Sequence, residues 1–137
     1  MGRQFEPQRV ASGIPTVTDI LNGGLLSESA TLVRGTPGAG KTIFGLHFLA
    51  VADQPVVYIN LGEPTDYLEL TADQFDIDTS HIEFLDLSPS GEQFQGGQSY
   101  DLFEPSEVET MPLVDQIRET IETNEPTRVL VDPITEF

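Results

Sequence analysis

Residues 35–42 read Gly-Thr-Pro-Gly-Ala-Gly-Lys-Thr, a complete G-x-x-x-x-G-K-[ST] pattern. That spacing serves one kind of chemistry, the holding of a phosphate chain. Its glycines let the backbone wrap closely around an anion, so that N–H groups from Gly38 to Thr42 and the positive end of a following helix can face it. Gly35, Thr36, Pro37, Gly38, Ala39, Gly40, Lys41 and Thr42 are thus the candidate phosphate site. Lys41 is expected to reach the β- and γ-phosphates, and the Thr42 hydroxyl to bind Mg²⁺. A Gly-rich turn with a merely solvated lysine is the bland alternative. It gives no reason to retain Lys41, the only lysine in a chain that carries 23 Asp and Glu.

Chemistry at a γ-phosphate needs two further acids, one to hold the metal and one to orient or deprotonate a water. Asp132 ends the apolar stretch "RVLVD" and is the candidate metal-side acid, although a strand that ends in Asp is often only the start of a turn. Glu63 directly follows "VVYINLG" and is the candidate catalytic base. Its other reading is an acid that favours the N-terminus of the next helix. Lys41, Glu63 and Asp132 all stand just past the carboxyl ends of apolar segments, at the edge where open parallel sheets bind ligands.

The elements that must hold these residues alternate along the chain. Residues 1–12 read as an extended lead-in, and "GIPTVTDILNGG" as a short helix capped by Thr16 or Thr18 and stopped at Gly23-Gly24. "SATLVRG" predicts a strand, and "KTIFGLHFLAVAD" an apolar helix that closes before Pro55. Gly45 in that helix suggests close packing on the sheet, and His47 reads as a packed residue rather than a catalytic one. "PVVYINLGE" is an uninterrupted apolar strand of the kind covered on both faces. "PTDYLELTADQF" suits a helix starting at Pro64 or Thr65, and "HIEFLDL" a third, alternating strand nearer an edge, with His81 at the surface. Residues 88–105 read as a loop. Leu113, Ile117 and Ile121 predict a helix whose regular part starts near Pro112. "TRVLVDPITEF" is a fourth buried strand. The order βαβαβαβ implies a mainly parallel α/β sheet with flanking helices and right-handed crossovers.

Composition narrows the function classes. The 137 residues carry 6 basic against 23 acidic side chains, a net charge of -17, whose self-repulsion opposes compaction in dilute buffer. At molar salt the Debye length falls to roughly 3 Å and the repulsion is screened. The spread acidity is similar to that of cytoplasmic proteins from salt-loving archaea, and a cytoplasmic protein without a membrane span is expected. Direct nucleic-acid binding is not, because phosphate contacts need a basic stripe. Cysteine is absent, and His47 and His81 do not have zinc-motif spacing. The acidic residues around Asp73, Asp76 and Asp78, and around Glu104, Glu107 and Glu109, read as solvated faces.

"GIPTVTDILNGGLLSESATLVRGTPGAGKTIFGLHFL" resembles the opening of the KaiC-like branch of the RecA-type P-loop ATPases, with its GIPxxDxLxxGGL lead-in, G(T/A)PGxGKT (Walker A) loop and apolar helix. "VVYINLGEPTDYL" is similar to that family's second strand and "RVLVDPITEF" to its Walker B strand, so the likeness runs along essentially the whole chain. The resemblance implies a RecA-like fold, ATP and Mg²⁺ as ligands, a ring-type homo-oligomer, and in-line attack on the γ-phosphate by a water that Glu63 positions. Two departures qualify it. Gly62-Glu63 stands where the family has paired glutamates, so binding of Mg-ATP is the primary expectation and hydrolysis is left open. The chain also ends at Phe137, before a strand that the family inserts between the phosphate-loop strand and the Walker B strand. Residues 1–137 are therefore expected to form a single, partial domain that lacks the C-terminal strands, with a truncated reading frame or a complementary missing segment as the explanation. Its sheet should be open in the middle, or else its phosphate-loop strand should pair with an unaccustomed neighbour. The competing expectation is a non-hydrolysing regulatory binding module, or a fragment without activity of its own.

Overall fold

The computed structural model describes residues 8–89 and 105–134. The loop expected at 88–105 and the start of the lead-in lie almost wholly outside them.

Among the described residues nine elements follow one another: β1 (Arg9–Val10), α1 (Pro15–Ile20), β2 (Leu25–Leu26), α2 (Lys41–Ala50), β3 (Val56–Asn60), α3 (Thr65–Gln74), β4 (Ile82–Asp86), α4 (Pro105–Asn124) and β5 (Arg128–Asp132). The main sheet has the order β4-β3-β5, all parallel. Val56 stands beside Ile82 and Arg128, and Asn60 beside Asp86 and Asp132, so the three strands end level.

The unbroken apolar run of β3 makes it the central strand, and all five of its residues are buried. Val56 and Tyr58 face a core with Leu46 and Leu49 of α2 and Leu68 and Ala72 of α3. Val57 and Ile59 face the opposite core, where Leu113, Ile117 and Ile121 of α4 pack at helical spacing. Each large apolar side chain so buried contributes about 1.5–3 kcal/mol relative to exposure. The helices thus cover both faces of the sheet, the α/β arrangement of a partial RecA-like domain.

Several expectations need correction. "SATLVRG" forms no strand: residues 30–36 join no ladder, and Leu32 and Val33 are exposed. A strand needs a hydrogen-bonded neighbour, and an open cavity of about 550 Å³ separates this segment from β5. Neither arrangement anticipated for the sheet is found among the described residues: the phosphate-loop segment pairs with no neighbour, and the sheet ends at β5. For the same reason β5 is half-exposed rather than buried, with Val129 at its bare edge. Thr16 and Thr18 do not cap α1, which begins with Pro15 at its first position and Ile14 before it. Proline suits that place, where its missing N–H has no helical partner to lose. The Thr18 hydroxyl is used instead by the buried Ser12, which meets it at 2.8 Å. The last long helix starts at Pro105, not near Pro112, which lies inside it. An unexpected two-stranded antiparallel ribbon also ties the lead-in to the segment after Gly24, with Arg9 beside Leu26 and Val10 beside Leu25. No helix among the described residues is long and apolar enough to cross a membrane.

Candidate phosphate and metal site

The loop 35–40 is exposed along its whole length and leads directly into α2. Gly38 and Gly40 have φ of +82° and +99°, the left-handed region that side chains with a Cβ seldom adopt. A Cβ at either position would meet no atom within 4 Å, so it is the positive φ and not crowding that calls for glycine there. No side chain caps α2. Its first N–H groups therefore remain available to an anion, and the helix dipole favours one there. The Lys41 ammonium lies across this cradle and donates to the carbonyl oxygens of Gly35 at 2.7 Å and Thr36 at 3.0 Å.

Thr42 and Asp132, 90 residues apart, meet at the foot of the loop. The Thr42 hydroxyl donates to Asp132 Oδ2 at 2.8 Å. The Tyr58 hydroxyl donates to the same oxygen at 2.6 Å. Tyr58 is fully buried, and its ring stacks on Phe84 with centroids 5.3 Å apart. Burial, then the Asp132 carboxylate, pushes the Tyr58 phenol far above its ordinary pKa, so it remains a donor. Hydroxyl and carboxylate oxygens are the hard donors that Mg²⁺ takes, and it usually uses only one or two carboxylates with waters and phosphates completing the shell. Thr42 and Asp132 fit that requirement.

Glu63 is exposed in the turn between β3 and α3. Its backbone carbonyl accepts a hydrogen bond from Asn60 Nδ2, and Asn60 Oδ1 accepts from the Gly62 N–H at 3.0 Å. The buried Asn60 thus holds the turn that carries Glu63, at the same strand end as Asp132. At the end of β4, Asp86 accepts from the Thr65 N–H and hydroxyl at 3.2 and 3.0 Å and from the Ser88 N–H at 2.9 Å, fixing the start of α3. Burial raises the Asp86 pKa, but the hydrogen bonds from Ser88 and Thr65 outweigh it and hold the carboxyl below its ordinary value. His47 is half-buried in α2. Its carbonyl meets the close approach of Gly13, where a Cβ would fall 2.1 Å from the oxygen.

The family model described as "ATPase: KaiC" matches residues 10–137. The chain belongs to the KaiC ATPase family. It is 32% identical over 141 residues to the "Circadian clock oscillator protein KaiC" of Prochlorococcus marinus, which covers 96% of this chain and 27% of that protein. It is 29% identical over 138 residues to a "UPF0273 protein" of Methanopyrus kandleri, covering 93% of this chain and 54% of the relative. A second UPF0273 protein, from Pyrococcus horikoshii, is 29% identical over 136 residues, with 93% and 55% covered. The chain spans between about a quarter and about half of the length of these curated relatives.

Within this KaiC-family fold, Tyr58, Asn60 and Asp86 are polar groups at the site's edge that motif reading passes over. One signal for Tyr58 and Asn60 was available: polar-tipped residues near the carboxyl end of an otherwise apolar strand. For Asp86 it was an Asp level with the other strand ends.

Proposed function

We propose that this KaiC-family chain binds Mg-ATP, with residues 35–42 as the phosphate cradle, Thr42 and Asp132 on the metal side and Glu63 as the group that positions water. The observation that carries the reading is the 2.8 Å bond from Thr42 to Asp132 across the foot of the glycine cradle. Lys41 exchanges its two carbonyl partners for phosphate oxygens when nucleotide enters. The N–H groups at the start of α2 hold the same oxygens. Bound Mg²⁺ supplies charge neutralisation on the β- and γ-phosphates. Glu63, on the turn that Asn60 holds, orients a water for in-line attack. A net charge of -17 suits concentrated salt and the cytoplasm of a halophile. Ring assembly follows the family resemblance.

Titration with a fluorescent ATP analogue in about 3 M KCl, where screening is nearly complete, tests the binding. Wild type should bind and Lys41→Ala should lose at least about tenfold in affinity, roughly the 1.5–3 kcal/mol of a hydrogen bond to a charged group. Equal binding by the two would sink the phosphate-site reading.

A second reading, a binding module without turnover, is favoured by Gly62, which presents no carboxylate beside Glu63. Steady-state phosphate release separates the two. Turnover abolished by Glu63→Gln supports the ATPase, and its absence in wild type supports the module.

A further inference from the structure

We infer that Tyr58 is a positioning residue for the metal side of the site: its hydroxyl fixes the Asp132 carboxylate in the orientation that completes the Mg²⁺ shell with Thr42. The inference rests on the Mg-ATP reading above and adds to it a residue outside every motif of the chain.

Tyr58 does not stand beside Asp132 in the sheet. Its register partner on β5 is Leu130, and Asp132 pairs with Asn60. The hydroxyl therefore has to travel two residues along the strand, about 6.6 Å at the rise of a parallel strand. A tyrosine leaning along the strand spans that distance, and a serine or threonine at the same place does not. Both hydroxyls, from Thr42 at 2.8 Å and from Tyr58 at 2.6 Å, end on Oδ2. With one donor alone, the carboxylate turns about its broad terminal torsion. Two donors from different elements, α2 and β3, hold it to one rotation and leave Oδ1 without a hydrogen bond among the described residues. Tyr58 is in turn held by its complete burial and by the Phe84 ring. A group so immobilised transmits orientation rather than following it. Outer partners of metal-binding carboxylates act in this way, and their loss typically weakens metal affinity by about 10–100-fold.

The test is Mn²⁺ binding by electron paramagnetic resonance in the presence of ATP, alongside metal-free nucleotide affinity, for wild type, Tyr58→Phe, Asp132→Asn and the double variant. Phenylalanine keeps the stack on Phe84 and removes only the hydroxyl. Tyr58→Phe should bind metal-free nucleotide as wild type does, while its Mn²⁺ affinity falls about tenfold. The double variant should be no weaker for Mn²⁺ than Asp132→Asn, because the tyrosine acts through that carboxylate. Unchanged Mn²⁺ affinity in Tyr58→Phe overturns the inference and leaves the Mg-ATP reading standing. So does an equal loss in the Asp132→Asn background, which marks a packing effect. Wild type that binds neither nucleotide nor metal overturns both.

Should Tyr58→Phe not fold, a fluorotyrosine at Tyr58, with Tyr67 and Tyr100 changed to Phe, reports on the native hydroxyl. Its fluorine resonance should shift when Mg²⁺ joins the ATP complex, and should not in the Asp132→Asn protein. A resonance indifferent to the metal also overturns the inference.

Discussion

Gly62 lies so close to Pro133 that a Cβ built on it would stand 2.9 Å from the ring Cδ. Proline Cδ is tied to the backbone and cannot rotate away. The contact gives a packing reason for glycine at a position where the resemblance predicts an acid, and it joins the turn carrying Glu63 to the residue after Asp132. Gly62→Ala should lower stability by about 1–3 kcal/mol, the usual cost of an extra methyl in a filled space. Gly62→Glu should cost at least as much and fail to supply a second working carboxylate. Denaturant melts in concentrated KCl measure the first, and phosphate release the second. An alanine variant as stable as wild type would mean that Pro133 yields freely.

Two other glycines make close contacts of different kinds, and they should respond differently to alanine. At Gly13, with φ of +92°, a Cβ would fall 2.1 Å from the His47 carbonyl oxygen, which is backbone. Gly13→Ala should cost at least about 2 kcal/mol through strain and overlap together. At Gly45 the nearest atom is Leu130 Cδ2, at 2.5 Å. Leu130 lines the cavity beside β5 and has room to turn into it. Alanine also favours a helix by roughly 1 kcal/mol over glycine, so Gly45→Ala should change stability by less than about 1 kcal/mol. Thermal melts of the pair should separate clearly. Equal losses would show that Leu130 is not free to move.

Acid should loosen the start of α3. The Asp86 carboxyl has a folded pKa below its ordinary 3.8. The unfolded chain therefore takes up this proton first as pH falls. Its contribution to stability is complete well above pH 3.8 and disappears as pH drops through the folded value. Asp86→Asn cannot accept the same set of bonds from Thr65 and Ser88. The stability gap between wild type and Asp86→Asn should accordingly be constant near neutrality and close below about pH 4. A gap that stays constant into acid would place the Asp86 effect outside this carboxylate chemistry.

Much of this was legible in the residues themselves. The phosphate loop declares itself because its chemistry depends on contiguous residue types, and Gly38 and Gly40 show the backbone that those types permit. β3 is legible because five consecutive buried positions demand a central strand. Thr65, Asp132, and Leu113 with Ile117 and Ile121 also lie in the elements that local pattern assigns to them. What was illegible depends on partners. Ala30 to Val33 have a strand's composition, but composition cannot supply the neighbouring backbone that makes a ladder. The pairing of Arg9 with Leu26 is two residues long, too short for any periodicity. The Tyr58 bond depends on a cross-strand offset of two residues, and no spacing along one strand encodes the register of two.

The 90-residue interval between Thr42 and Asp132 also sets an order of events on the ribosome. At about 5–20 residues per second, the glycine cradle emerges roughly 5–20 s before its acid partner is made. During that time Lys41 has only its own loop carbonyls to hold, and no metal can be clasped between hydroxyl and carboxylate. β5, which closes the site, is made long after the cradle it completes. A nascent chain is therefore unarmed until β5 arrives.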